Sequence, residues 1–113
     1  KLEIVKMEFS SLRMLRTILA TAKDLGDDKL IQIVEVEPGN HVKPHKHFNT
    51  REIYVVQNPG GIIKVDGTEY RTKKDKVIIC EPESVHEVIN DTDNVLRLLV
   101  FKTGHTEDDT LWL

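Results

Sequence analysis

The sequence contains a single cysteine, Cys80, and that scarcity removes two kinds of scaffold at once. No internal disulfide can form, and a zinc site built from cysteines is excluded. Long apolar runs are missing as well. Nothing approaches the roughly 20 residues that a membrane-spanning helix requires, so no membrane partner is expected. Lys1–Ser11 mixes charged and apolar residues and lacks the continuous hydrophobic stretch that drives secretion. With the lone thiol, this leads to the expectation of a cytoplasmic protein. Strong charge of either sign is also lacking. The formal net charge of −3 is evenly spread and argues against a nucleic-acid surface. Internal repeats, low-complexity tracts and interdomain linkers are not seen.

What is present fits one soluble globular domain spanning residues 1–113. The chain is 39% hydrophobic and 31% charged, and its 113 residues suffice for one core, which must carry any function. From Lys29 onward short β-rich runs alternate with turn residues, as in an all-β sandwich or barrel. The runs are Lys29–Glu37, Glu52–Gln57, Ile62–Val65, Thr68–Arg71, Lys76–Cys80, Val85–Ile89 and Asn94–Lys102. The sharpest turn signal is Asp66-Gly67, since a two-residue hairpin loop needs positive φ. Residues 1–28 read as an N-terminal strand or short helix packing on the barrel, with strand favoured over Met14–Leu19. Residues 29–102 form the barrel core. Residues 103–113 are a tail whose apolar end, Leu111-Trp112-Leu113, packs back on the barrel or on a partner subunit.

The chemistry concentrates in the segment from Gly39 to Glu52. In a strand, successive side chains alternate faces, so His45 and His47 point the same way and can chelate a metal. The next run, Glu52-Ile53-Tyr54-Val55-Val56, puts Glu52, Tyr54 and Val56 on one face. If that face is interior, Glu52 is a buried carboxylate that needs a cation or a proton. His41 shares the parity of His45 and His47, but Pro44 interrupts regular pairing and sends His41 to the rim or to solvent.

Gly39, five residues, His45-Lys46-His47, four residues and Glu52 reproduce the first cupin motif, with Gly60-Gly61 within a residue of its closing glycine. His86, three residues and Asn90 match the end of the second motif, which spans Asp75–Asn90. The chain thus resembles the cupin superfamily, specifically its small single-domain metal-binding members. That resemblance implies a double-stranded β-helix, or jelly-roll barrel, in which His45, His47, Glu52 and His86 hold one divalent metal ion. It also departs from the pattern. Asp75 stands at the second motif's first glycine, while Glu81 and Glu83 occupy its proline and second glycine.

Three imidazoles and one carboxylate leave two positions open on an octahedral ion, which suits Mn, Fe, Ni, Co or Zn. The expected function is therefore to act on or bind a small oxygenated molecule, by dioxygenase, isomerase or lyase chemistry. Tyr54 is the candidate catalytic residue, lining the pocket and offering its hydroxyl to a substrate, with Val56, Ile63 and Val65 as apolar lining. One alternative is a metal- or ligand-binding or sensor module without turnover. Another is a metal-free sugar-nucleotide epimerase type with a histidine as base. Cys80 and His105 are read as a core residue and a tail residue outside the site. Val95–Phe101 is apolar on both faces, so a second sheet, the N-terminal segment or another subunit must cover it. A homodimer is expected.

Overall fold

The computed structural model describes residues 3–9, 12–106 and 108–113, the part before residue 14 by backbone alone. Lys1, Leu2, Ser10 and Ser11 of the N-terminal segment lie outside the described residues, as does Glu107 of the tail. The elements in chain order are β1 (Glu3–Phe9), β2 (Leu12–Ala20), α1 (Ala22–Leu25), β3 (Leu30–Val36), β4 (His41–His47) and β5 (Arg51–Asn58). They continue with β6 (Ile62–Val65), β7 (Thr68–Arg71), β8 (Val77–Cys80), β9 (His86–Ile89), β10 (Leu96–Thr103) and β11 (Thr110–Trp112). Two antiparallel sheets result, ordered β1-β2-β3-β10-β5-β8 and β11-β4-β9-β6-β7. This is the jelly-roll expected of the sequence.

The sheets face each other because each strand has one apolar side. In β10, Leu96, Leu98 and Val100 are buried, while Arg97 and Phe101 point out. In β5 the buried set is Ile53's neighbours Glu52, Tyr54 and Val56. Val36, Val56, Ile63, Leu96, Leu98 and Val100 lose nearly all their exposure in the core between the sheets. Each such side chain contributes about 1.5–3 kcal/mol by burial. The same alternation that buries Leu98 and Val100 turns Lys102 inward, where it pairs across the sheet with Glu52.

Turn chemistry sets the connections. Asp66 and Gly67 have φ of 48° and 84°, the two positive values a tight hairpin between β6 and β7 needs. At Gly61, with φ of 104°, a Cβ would stand 2.1 Å from the carbonyl oxygen of Ile89, so close backbone approach requires glycine there. The two departures from family glycines keep the glycine-like backbone: Asp75 and Glu83 have φ of 68° and 67°.

The N-terminal strands do not cover the outer face of β10. β2 pairs with β3 and extends the sheet sideways, and β1 extends it further. Val77 (54% exposed), Ile79 (44%) and Phe101 (39%) remain on the outside of that sheet.

Candidate metal centre

The two sheets contribute opposite halves of one cluster. β4 supplies His45 and His47 and β9 supplies His86, with His45 and His86 directly paired across the strands. Glu52 comes from β5 on the facing sheet. All four are buried, and one ligand atom from each lies within 4.8 Å of every other.

A bulge makes this possible. The β4–β9 register runs Val42↔Val88 and then His45↔His86, so β4 carries one residue more than β9 across Lys43-Pro44. The extra residue inverts the parity. Val42 points inward before it and His45 and His47 point inward after it, while His41 turns out and meets Glu87 Oε2 at 2.7 Å.

Each ring is oriented through its Nδ1. That atom lies 2.7 Å from the carbonyl oxygen of Lys43 in His45, and 3.1 Å from that of Ser84 in His86. A carbonyl only accepts, so both Nδ1 atoms carry the proton, and in the neutral ring Nε2 presents a lone pair. His47 Nδ1 lies 3.0 Å from Thr110 Oγ1. The Nε2 atoms of His47 and His86 stand 2.7 and 3.1 Å from Glu52 Oε1. His86 Nε2 is buried without a hydrogen-bond partner.

Lone pairs facing a buried carboxylate repel it unless a cation lies among them. Burial, helped by the neighbouring His86, pushes His45 down from 6.5 to about 4, so this ring stays neutral and ready to ligate at ordinary pH. Burial works against the charge on Glu52, but the adjacent His47 and His86, with Lys102 nearby, outweigh it and hold the carboxyl well below its usual range. A carboxylate and three imidazoles, one with an orphaned buried nitrogen, form a donor set that fits a divalent ion. The four residues could hold one.

Residues 32–102 match the Cupin_2 family, described as a cupin domain. The chain belongs to that family. In sequence, this cupin is 28% identical over 64 residues to an uncharacterized protein of Methanocaldococcus jannaschii, covering 57% of this chain. It spans about half the length of that curated relative, 51%. In structure, it is similar to a cupin-2 domain protein of Rhodospirillum rubrum, with TM-score 0.85 at 16% identity over 99% of this chain and 75% of the other. It is also similar to a Thermotoga maritima protein described as a predicted oxalate decarboxylase, with TM-score 0.79 at 20% identity over 91% and 95%. At such identities the likeness concerns the fold.

Beside the cluster the cupin has an open cavity of about 100 Å³. Its apolar wall is Met14, Val34, Val42, Val88 and Leu98. Of the lining expected from sequence, Val56 and Ile63 instead fill the core behind the site, and Val65 packs against that core. Tyr54 does line the cavity, and its hydroxyl donates to Glu52 Oε1 at 3.2 Å. Burial and the Glu52 charge raise its pKa well above the ordinary value, so the phenol keeps its proton. Cys80 is a buried free thiol, raised far above its usual pKa by burial, and behaves as a core residue. His105 lines an outer vestibule and donates its backbone N–H to Asp28.

Three tail residues lie at the site; of these only Trp112 was marked from sequence, as part of an apolar end that packs back on the barrel, and Asp109 and Thr110 were not. β11 pairs with β4, Thr110 beside His47 and Trp112 beside His45. The Trp112 ring lies 4.5 Å from that of His45. Asp109 accepts hydrogen bonds from the backbone N–H groups of Phe48, Asn49 and Thr50 and from Thr50 Oγ1, the last at 2.7 Å. It thereby clamps the loop joining β4 and β5, which carry His45, His47 and Glu52. Only the apolar Leu111-Trp112-Leu113 signalled that the tail returns to the barrel. A three-residue strand is too short to show a period.

Asn90, the last residue of the second motif, acts on the backbone instead. Its Nδ2 donates to the carbonyls of Val36 and Asn94 at 2.9 and 2.7 Å, tying the ends of three segments together.

Among the described residues, no helix is long and apolar enough to cross a membrane.

Proposed function

We propose that this cupin is a metal-dependent enzyme that binds one divalent ion through His45, His47, Glu52 and His86 and acts on a small oxygenated molecule. The observation that carries the reading is the arrangement of the rings: every Nδ1 is held by an outer partner, and the Nε2 atoms of His47 and His86 are turned toward one buried carboxylate. When bound, such an ion supplies Lewis-acid polarisation of a substrate oxygen at its open positions. The protein's residues do the remainder. Val34, Val42, Val88 and Leu98 give the cavity an apolar wall, and low-dielectric surroundings strengthen the charges beside it. Tyr54 keeps its proton and is not a base; its single hydroxyl proton is given to Glu52 in the free site and reaches a bound molecule only by turning away from that carboxylate. The partners held at each Nδ1 keep the rings from rotating as substrate enters and leaves.

Elemental analysis of the purified protein, followed by turnover assays, tests this. The protein is expected to carry one transition-metal ion per chain. Its product formation or oxygen consumption on a panel of small carbonyl compounds and sugar acids is expected to stop on chelation and return on metal addition. Stoichiometric metal and ligand binding without turnover across the panel would leave a binding or sensor module. Turnover indifferent to chelation would support chemistry by a histidine base.

A further inference from the structure

A glutamine interrupts the apolar inner row of β3. Leu30, Gln32, Val34 and Val36 are all buried, and Gln32 is only 3% exposed. A buried amide is costly unless its polar atoms find partners. The oxygen has one: Arg16 Nε donates to Gln32 Oε1 at 2.7 Å. Register accounts for this pair, since Arg16 is the cross-strand partner of Val34 and therefore lies diagonally from Gln32. An arginine only donates, so the contact settles which end of the amide is which: Oε1 meets the guanidinium and the NH2 group is the other end. That nitrogen has no hydrogen-bond partner among the described residues. Among them, His86 Nε2 is the only side-chain nitrogen or oxygen that is both fully buried and unpartnered. The Gln32 nitrogen is thus not sealed in, and it opens onto the cavity that Gln32 lines.

Register also relates this donor to the cluster. Gln32 pairs with Val100 of β10, and Val100 pairs with Tyr54 of β5, so the three form one row across neighbouring strands. All three are buried. Two strand spacings put the main chains of Gln32 and Tyr54 about 9–10 Å apart, a gap that one small molecule crosses. Tyr54 has its only proton on Glu52 Oε1. Gln32 has both amide protons to give, and Arg16 holds the group that carries them.

We infer that Gln32 determines specificity in this cavity: its amide donates to a carbonyl or carboxyl oxygen of the bound molecule while a second oxygen of that molecule faces the ion. This rests on the metal-centred reading above and adds that the molecule carries two oxygen groups, one of them a hydrogen-bond acceptor. A wall built to donate rejects an analogue with a methyl group in that place, because the donor is then left without a partner.

The test uses three metal-binding hydroxamates that share a head and differ at one branch: 4-oxopentanohydroxamate, 4-hydroxypentanohydroxamate and 4-methylpentanohydroxamate. Each is titrated against wild type, Gln32→Leu and Gln32→Glu, with the metal content of every sample measured. Wild type is expected to bind the ketone about five- to tenfold more tightly than the methyl compound, the worth of one hydrogen bond. Gln32→Leu is expected to lose that preference. Gln32→Glu is expected to bind the alcohol more tightly than the ketone, because a carboxylate only accepts. The glutamate variant keeps a partner for Arg16, so it decides the matter even if the leucine variant fails to fold. A side chain needed only for packing would shift all three affinities together, whereas each readout is a ratio between ligands on one sample. Equal affinity of metal-loaded wild type for the ketone and the methyl compound overturns the inference and leaves the metal reading standing. A ketone preference that survives unchanged in either variant does the same. Should the protein take up no metal, the metal reading fails, and the same ratios, measured on that protein at higher ligand concentration, decide for or against Gln32 on their own.

Discussion

Thr110→Val isolates the contribution of the C-terminal strand to the metal site. Valine keeps the shape of threonine and suits a strand, and the backbone pairing of Thr110 with His47 is untouched by the change. What disappears is the hydroxyl 3.0 Å from His47 Nδ1. His47 is 6% exposed, so water cannot readily take its place. The ring loses the partner that fixes its Nε2 toward Glu52. Loss of such an outer partner typically weakens metal affinity about 10–100-fold, or about 1.4–2.7 kcal/mol. The metal-free fold is expected to lose only about 1 kcal/mol for one hydrogen bond. Competition between metal-free protein and a chromophoric chelator for Zn(II) measures the first quantity, and urea denaturation the second. Thr110→Ser, which restores the hydroxyl, is expected to recover most of the affinity. Valine binding Zn(II) within twofold of wild type, or serine behaving as valine does, would refute the reasoning.

Other outcomes follow from the same geometry. Asp109→Ala is expected to destabilise by about 2–3 kcal/mol, since it strands buried donors of the loop at Phe48–Thr50; a loss under about 0.5 kcal/mol in urea denaturation would contradict the clamp. Burial opposes the Asp109 charge, but those hydrogen bonds prevail and hold its carboxyl below 3.8. Its contribution is therefore present at neutral pH and lost as pH falls below that value, so stability in that acid window is expected to vary less with pH in Asp109→Asn than in wild type. Glu83→Gly relieves a left-handed backbone, worth about 1–2 kcal/mol, against an unfolded-state cost of about 0.5–1 kcal/mol. A net gain near 0.5 kcal/mol is expected in the urea midpoint, and a clear loss would show that the side chain itself matters there. The outer face carrying Val77, Ile79 and Phe101 is expected to meet a second copy of the chain. Light scattering should then report twice the 13.0 kDa chain mass, falling to one on Ile79→Lys, whereas a wild-type monomer rejects the homodimer.

The strand period made much of this fold readable before any coordinates. Glu52, Tyr54 and Val56 share one face in the sequence and are all buried in β5. Asp66-Gly67 marked its hairpin because the required dihedrals leave few other choices. The cluster of His45, His47, Glu52 and His86 was readable because cupin spacing places His86 opposite His45, a long-range relation that local periodicity does not contain. Pro44 hinted that His41 would leave the row of His45 and His47, and the bulge beside it is the physical means. Gln32 and Arg16 were not readable as site residues. They lie 16 residues apart on strands without a family motif, and only the pairing of β2 with β3 sets them side by side. Asp109 and Thr110 likewise act through a turn and a three-residue strand, where no periodic signal can accumulate.

Anomalous diffraction at the absorption edge of the metal identified in the purified protein tests the central claim most directly. One strong peak is expected between the two sheets, about 2.0–2.3 Å from the Nε2 atoms of His45, His47 and His86 and from a Glu52 oxygen. A crystal with no such peak, or with the ion bound elsewhere, would contradict it.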